Sequence, residues 1–223
     1  MEIIYGTGNQ AKIAYMKRAL RGLPLHITGL AQAAAARKIT LPDVEETGTT
    51  PLENARLKGE CYFKLFGSPV FSCDSGLYLW NQETGKALPR EEQPGVCVRG
   101  REERRLSDEE LLDHYIGLVR KYGLIRARYK NAICLIWNEE IREESMDEEL
   151  WGEDFLLTDI PHPRRVTGFP LDSISIDKKS RKYFYDMEEN RQDDLVSQVG
   201  FSRFFQCFLK KYDLMGISST DTR

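Results

Sequence analysis

The stretch Pro69-Val70-Phe71-Ser72-Cys73-Asp74-Ser75-Gly76-Leu77 joins an apolar run to a compact polar segment. The run 69–71 predicts a buried strand. A carboxylate at the end of such a strand is suited to hold a metal ion or to accept a proton from water. Gly76 allows either a sharp turn or the close approach of a ligand. On its own, Asp74-Ser75-Gly76 is also typical of an ordinary turn, so its meaning depends on the segments around it.

Length and composition limit the classes of protein to which this chain can belong. Its 223 residues suit one large α/β domain or two small ones, and 41% hydrophobic residues supply a sizeable core. Lysine and arginine total 32 against 35 acids, for a net charge of -3. This balance gives no electrostatic reason to expect nucleic acid as the main partner. The five cysteines are odd in number and contain no Cys-x-x-Cys pair, which favours neither a disulfide framework nor a structural zinc site.

The amino-terminal residues and the hydropathy pattern bear on location. Residues 1–5 lack the basic and apolar blocks of a signal peptide, and no apolar run approaches membrane-spanning length. We therefore expect a cytoplasmic protein with no membrane partner.

A glycine-bearing loop follows the first predicted strand, which covers residues 2–5. The loop reads Gly6-Thr7-Gly8-Asn9, and Asn9 is suited to cap a helix over residues 11–21. Strand, glycine loop and helix N-terminus together form a phosphate-binding arrangement, because free N–H groups and the helix dipole face the anion. Lys12 would add a positive charge. A simple strand-to-helix turn explains the same pattern, so the loop alone leaves both interpretations open.

The segment Thr50-Pro51-Leu52-Glu53 predicts the start of another helix, since it has a hydroxyl cap, proline at the first helical position and glutamate at the third. It should run to about residue 66. Asn54 and Lys58 are four residues apart and share a face of this helix, which points either into a cleft or into water. The preceding loop, 41–49, carries three acids of the kind that loops usually expose.

The rest of the chain predicts a helix opened by a capping box, an antiparallel meander and a last helix. The helices are predicted over 107–122 and 192–211, and the strands over 77–80, 126–137, 141–145, 150–158 and 174–176. Residues 81–93 should form an exposed loop. The arginines that follow are typical of a solvated face, although they could attract a triphosphate or an acidic partner. They are Arg99, Arg101, Arg104 and Arg105.

Four segments in register resemble the signature of the Ham1/inosine triphosphate pyrophosphatase family, whose members hydrolyse non-canonical purine nucleoside triphosphates to the monophosphate and pyrophosphate. The segments are Gly6-Thr7-Gly8-Asn9-Gln10-Ala11-Lys12, Glu45-Glu46-Thr47-Gly48-Thr49-Thr50 with Glu53-Asn54-Ala55 and Lys58, Asp74-Ser75-Gly76-Leu77 and, more weakly, Pro94-Gly95-Val96. No single segment is specific, but their order and spacing together are.

The resemblance implies roles for the matching positions. Glu45 and Asp74 would bind Mg²⁺, a hard cation that prefers oxygen ligands. Asp74 would also orient or deprotonate the attacking water, and Lys58 would neutralise charge on a phosphoryl group. The implied substrate-binding residues of this part of the chain are Thr7, Gly8, Asn9, Lys12 and Ser75.

The carboxyl-terminal half departs from the family pattern. Phe169-Pro170-Leu171-Asp172-Ser173 stands where the family has Phe-Gly-Tyr-Asp-Pro, so Phe169 and Asp172 are kept as expected contacts to the base. Ser197-Gln198-Val199-Gly200 replaces the family's Ser-His-Arg, with Asp193 near its preceding lysine. Gln198 can still donate one hydrogen bond, and Arg191 or Arg203 could compensate. Losing two cationic donors should relax or redirect the choice of base.

The resemblance implies an α/β fold with an elongated mixed β-sheet, flanking helices and two lobes around a central cleft. We expect a single domain over residues 1–215, a flexible tail over 216–223, and a homodimer that uses the apolar meander around 127–158. The expected function is that of a Mg²⁺-dependent nucleoside triphosphate pyrophosphohydrolase with altered base specificity. Two alternatives remain open: a nucleotide-binding regulatory module without efficient catalysis, and a pyrophosphatase for a different phosphate ester.

Overall fold

The computed structural model describes residues 1–100, 106–187 and 195–215. The chain divides into two compact units. The first unit comprises residues 1–75, 131–151 and the chain from 195 onward, and the second comprises 76–130 and 152–194. Each unit contains its own hydrophobic core. The expectation of one domain over 1–215 therefore stays a prediction about how the two units unfold.

The described residues form α-helices and a single mixed sheet. The helices are α1 Gln10–Ala19, α2 Leu30–Arg37, α3 Pro51–Phe66, α4 Asp108–Tyr122 and α5 Leu195–Lys211. The strands are β1 Glu2–Tyr5, β2 His26–Gly29, β3 Val70–Asn81, β4 Ile125–Ile136, β5 Arg142–Ser145, β6 Phe155–Leu157 and β7 Ser175–Asp177. The strand order is β2-β1-β3-β4-β6-β7, with β5 also paired to β4. Strand β1 is parallel to β2 and β3, whereas β4, β5, β6 and β7 pair antiparallel, which confirms the predicted α/β class with a mixed sheet.

The core of the first unit is built on aromatic contacts between strands and the last helix. Tyr5 of β1 stacks on Phe71 of β3 with ring centroids 4.4 Å apart, and Phe71 meets Phe205 of α5 edge to face at 5.2 Å. Helix α1 adds Ile13 and Met16, whose three-residue spacing puts them on one face. This packing fixes the carboxyl end of β1 and the first half of β3, which carry the candidate site.

The core of the second unit lies between α4 and the adjoining strand segments. Leu77 and Leu79 alternate along β3 and point to the same face, where they meet Leu111 and Tyr115 of α4. The helix begins as the sequence predicts. The Ser107 hydroxyl accepts from the N–H of Glu110, and the Glu110 carboxylate accepts from the N–H of Ser107.

The polar segment Asp74-Ser75-Gly76 is part of a strand, and the expected break between two strands is wrong. Strand β3 continues from Val70 to Asn81. Gly76 serves close approach rather than a turn, since a Cβ atom there would lie 3.0 Å from the carbonyl oxygen of Gly95. Leu77 and Gly95 exchange backbone hydrogen bonds of 2.8 and 3.0 Å. The segment Pro94-Gly95-Val96 thus packs directly on the glycine of the third matching segment.

Two other predicted elements differ from the structure in extent. Of the strand predicted over 150–158, only Phe155–Leu157 is paired in the sheet, and Leu150 ends the short 3₁₀ turn Glu148–Leu150. The predicted loop 81–93 exposes most of its residues, but Leu88 is buried in the second core. Gln93 also anchors the loop, because its side chain bonds the N–H and carbonyl of Leu79 at 2.9 and 2.7 Å.

Some predictions fall on positions outside the described residues. These positions are 192–194, where the last helix was expected to start, and the expected tail 216–223. Within the ranges that the structure does describe, no helix is both long and apolar enough to cross a membrane.

Candidate functional site

Asp74 is the centre of a buried polar cluster in the first unit. It lies in β3 with 9% of its surface exposed. Lys58 Nζ donates to Asp74 Oδ1 at 2.9 Å, and Asn54 Nδ2 donates to Oδ2 at 3.2 Å. Both donors belong to α3 and, being four residues apart, lie on one face. Asn54 and Lys58 are only 2% and 9% exposed, so this face points at the strand and not into open water.

Asn54 also ties the acidic loop to this cluster. Its Oδ1 accepts from the N–H of Gly48 at 2.8 Å while its Nδ2 faces the Asp74 carboxylate, so the two bonds fix the amide orientation. A Cβ atom on Gly48 would lie 2.5 Å from Asn54 Oδ1. The glycine in the second matching segment is therefore required for the loop to approach the helix.

Lys58 joins two carboxylates. Besides Asp74, its Nζ contacts Glu46 Oε2 at 3.1 Å. Burial by itself would lower the pKa of Lys58, but the charges and hydrogen bonds of Asp74 and Glu46 outweigh it and raise the pKa above its ordinary value. The ammonium group is thus held charged inside the cluster.

The acid that contacts Lys58 is Glu46, whereas the sequence pattern pointed to Glu45 as the second metal ligand. Glu45 is exposed and has no hydrogen bond or ion pair to another described residue. Sequence reasoning could not choose between neighbouring acids, because the loop is irregular and has no period that assigns side chains to a face. The role of Glu45 as a ligand stays a prediction.

The donor chemistry of the cluster is compatible with Mg²⁺. The described residues contain no group of three or more His, Cys, Asp or Glu side chains placed to hold a metal. Mg²⁺, however, is commonly bound through one or two carboxylates together with water and substrate phosphates. Glu46 and Asp74 each place a carboxylate oxygen on the same ammonium group, and Glu45 is next in the chain. Carboxylates from this loop and from β3 could therefore hold the ion jointly with a phosphate.

The loop between β1 and α1 has the predicted geometry. Asn9 caps α1, since its Oδ1 accepts from the N–H groups of Ala11 and Lys12 at 2.9 and 3.1 Å. Thr7 Oγ1 accepts from the Asn9 N–H at 3.2 Å. Within the described part of the chain, the N–H groups of Gly8 and Gln10 have no acceptor. Lys12 is exposed one turn into the helix, so an anion would meet two N–H groups and a lysine.

Ser72 packs against Gly6 at the start of this loop, a role that the sequence did not suggest. A Cβ atom on Gly6 would lie 2.2 Å from Ser72 Oγ and 3.1 Å from the Tyr62 ring. Ser72 is fully buried, and its hydroxyl has no hydrogen-bond partner among the described residues. The loop therefore depends on glycine at position 6, and the only sequence signal for Ser72 is a small residue two positions before Asp74.

Comparison with known proteins identifies the family of this chain. The sequence model of the Ham1 family matches residues 3–198. The chain belongs to the Ham1 family. It is 31% identical over 175 residues to a dITP/XTP pyrophosphatase of Deinococcus deserti, covering 78% of this chain and 73% of the relative. It is 35% identical over 175 residues to a dITP/XTP pyrophosphatase of Xanthomonas oryzae pv. oryzae, covering 78% and 80%.

Solved Ham1 structures share the fold. The HAM1 protein of Coxiella burnetii aligns with a TM-score of 0.67 and 20% identity, covering 95% of this chain and 99% of that one. The Ham1 protein of Staphylococcus aureus aligns with a TM-score of 0.65 and 24% identity, covering 95% and 100%.

In this Ham1 chain Ser75 makes a structural contact. Its Oγ donates to Asn131 Oδ1 at 2.7 Å, and Asn131 Nδ2 donates to the carbonyl of Leu150 at 2.7 Å. The hydroxyl proton of Ser75 is thus committed within the first unit. Its expected contact with substrate stays a prediction, in which Ser75 can act only as an acceptor.

The residues that replace the Ham1 Ser-His-Arg lie on the first described turns of α5. Ser197 is buried and bonds the hydroxyl of Tyr15, which ties α5 to α1. Gln198 is half-buried, and Val199 is 59% exposed. Arg203 pairs with Glu149 at 2.6 Å, which weakens its case as a replacement donor. Positions 191 and 193 lie outside the described residues.

Phe169 and Asp172 lie in the second unit, in and beside the short turn Pro170–Ile174. The Phe169 side chain is 55% exposed. Asp172 is half-buried, and this burial raises the pKa of its carboxyl. Arg99 is paired with Asp108 rather than free in solvent, whereas the other three arginines of its run lie outside the described residues.

Proposed function

We propose that this Ham1 family member is a nucleoside triphosphate pyrophosphohydrolase that converts non-canonical purine nucleoside triphosphates to the monophosphate and pyrophosphate. The relatives that cover most of the chain are named dITP/XTP pyrophosphatase. The observation that carries the proposal is the buried Asp74, fixed by Asn54 and Lys58 of one helix face. These two hydrogen bonds hold the carboxylate in one orientation, as a group that acts on water requires.

Asp74 keeps the capacity to act on a water molecule. A carboxylate offers about four acceptor positions, and among the described residues Lys58 and Asn54 fill two of those of Asp74. In the proposed step, water oxygen attacks phosphorus, the bridging P–O bond to pyrophosphate breaks, and the proton of the water passes to Asp74. Lys58 neutralises negative charge that develops on the phosphoryl oxygens.

The loop between β1 and α1 binds the phosphate chain in this proposal. The N–H groups of Gly8 and Gln10 donate to phosphate oxygens, and Lys12 adds charge. Thr7 and Asn9 fix the loop through the bonds described above. Mg²⁺, held by Asp74 and Glu45 with substrate phosphate, would supply further neutralisation of the phosphate charge.

Altered base specificity belongs to the same proposal. Val199 carries no donor and is exposed where the family has arginine, and Gln198 offers a neutral amide. A site that loses hydrogen-bond donors to a base edge loses discrimination at that edge. We further propose Phe169, Asp172 and Gln198 as contacts to the base, a homodimeric assembly and a cytoplasmic location.

The proposal is tested by product analysis. Purified protein with Mg²⁺ is incubated with dITP, XTP, the ordinary purine triphosphates and pyrimidine triphosphates, and pyrophosphate and orthophosphate are separated by ion chromatography. We expect pyrophosphate and monophosphate in equal amounts, with a deaminated purine as substrate. Orthophosphate as the sole product contradicts the proposal, and nucleotide binding without turnover would favour a regulatory module.

A further inference from the structure

Three hydrogen bonds form a closed ring around Gly168 in the second unit. Arg99 Nη1 donates to Asp108 Oδ1 at 2.8 Å, and Arg99 Nη2 donates to the Gly168 carbonyl at 2.7 Å. The Gly168 N–H donates to Asp108 Oδ2 at 2.7 Å, which closes the ring. The Gly168 bond and the Arg99 guanidinium lower the pKa of the Asp108 carboxyl, which is therefore ionised at neutral pH.

The ring fixes a turn that only glycine adopts easily. Gly168 has a φ of +86°, in the left-handed region, and the ring engages both its N–H and its carbonyl. The Phe169 N–H donates to Val166 at 3.0 Å. The Phe169 carbonyl accepts from the Asp172 N–H at 3.3 Å and from the Tyr185 hydroxyl at 3.5 Å. The backbone is thus held on both sides of Phe169.

The side chain of Phe169 nevertheless remains 55% exposed. A single exposed apolar residue needs no explanation. Here, however, the aromatic side chain of Phe169 is attached to a backbone that several polar contacts hold in place. A flat ligand covering it would therefore immobilise only a side chain with two torsions, because the backbone ordering is already complete.

We propose that Arg99 and Asp108 are positioning residues that hold Phe169 ready to cover one face of a nucleotide base. This inference rests on the proposed function, which supplies the base as the flat ligand. The guanidinium is suited to the task because its fork sends two donors to two acceptors, which a lysine ammonium cannot reproduce in the same plane. The Asp108 carboxylate accepts from Arg99 through Oδ1 and from the Gly168 N–H through Oδ2, and the Gly168 carbonyl is the second acceptor of the guanidinium.

The test compares a ligand with a base and one without it. Calorimetric titration of the full chain measures the Kd of inosine monophosphate and of inorganic tripolyphosphate. We expect Asp108→Asn and Arg99→Lys each to weaken inosine monophosphate binding about tenfold, through loss of preorganisation, with tripolyphosphate changed less than about twofold. The matched control is Arg120→Ala, which removes an exposed α4 arginine 3.9 Å from Asp159 and should change neither Kd.

Other outcomes overturn the inference. Unchanged inosine monophosphate binding in both variants shows that the ring does not position a base contact, and equal weakening of both ligands shows a general structural role. Absence of inosine monophosphate binding by the unsubstituted protein also contradicts it. Failure of the proposed function is read separately from turnover: base-selective binding lost in the variants, with no pyrophosphate release, supports this inference and contradicts the hydrolase.

Discussion

Asp74 lies in a buried strand and carries the candidate reactive carboxylate, and its sequence suggested both features. Its neighbours along the chain predict the strand, whereas its function depends on Asn54 and Lys58, which come from another element. The four-residue spacing of those two side chains could be read from the sequence. The direction of their face could not, because propensity alone does not show against which strand a helix packs.

The charge state of Lys58 leads to a prediction about pH. Its pKa is raised by Asp74 and Glu46 against the effect of burial, so the ammonium persists as the pH rises past the ordinary range of lysine. We therefore expect that deprotonation of Lys58 does not reduce turnover below about pH 10. The pH profiles of the wild type and Lys58→Arg should therefore have the same alkaline limb. A limb between pH 8 and 10 in the wild type that is absent in Lys58→Arg would show the opposite shift.

Neighbouring acids of the loop separate the metal role from the role of partner to Lys58. Glu46 is already paired with Lys58, while Glu45 is exposed and unpaired among the described residues. We expect Glu45→Gln to raise the Mg²⁺ concentration for half-maximal turnover about tenfold, since a carboxylate ligand is lost. Glu46→Gln should change it by less than about threefold. Magnesium titration of both variants measures this, and the reverse order would assign the ligand role to Glu46.

The loop between β1 and α1 was predicted more fully than any other part of the site. Asn9 was identified as the cap because its position and type announce a helix start. The dependence of the loop on Ser72 was not predictable, because it arises from contact between Gly6 of the loop and strand β3. Strand β3 shows the same limit: the sequence left open whether Gly76 makes a sharp turn or allows the close approach of a ligand, and the group that lies close to it is the Gly95 backbone.

A pair of glycine substitutions tests the packing beneath the loop. Gly6→Ala should lower the free energy of unfolding by about 1–3 kcal/mol, because the new methyl group overpacks against Ser72 and Tyr62. Gly8→Ala is the matched control, since nothing lies within 4 Å of its Cβ position. It should change stability by less than about 1 kcal/mol. Urea denaturation measures both, and equal effects would contradict the packing explanation.

The described residues divide into two units, each with its own hydrophobic core, although the sequence suggested a single domain. Strands β3 and β4 each contribute residues to both units, which leads us to expect that the units unfold together. The apolar residues of β4 that suggested a dimer interface are largely buried within their own units. The homodimer thus stays a prediction, to be measured by sedimentation equilibrium.

The tryptophans allow each unit to be followed separately. Trp80 lies in the second unit, while Trp137 and Trp151 lie in the first. Trp80→Phe keeps the two tryptophans of the first unit, so its fluorescence reports the unfolding of that unit. The double variant Trp137→Phe and Trp151→Phe keeps Trp80, which reports the second unit. We expect the two urea midpoints measured by fluorescence to coincide, after correction for the far-UV circular dichroism midpoint of each variant. Two separated fluorescence midpoints within otherwise equally stable variants would show two domains.

The measurement that tests the central claim most directly is the steady-state turnover of Asp74→Asn with dITP or XTP, alongside the exposed α4 control Asp113→Asn. An amide keeps the shape of Asp74 but cannot accept a proton from water. We predict a fall in kcat of at least about 100-fold for Asp74→Asn and none for the control, with both variants folded by circular dichroism. Full pyrophosphate release by Asp74→Asn would contradict the assignment of this buried carboxylate as the reactive group.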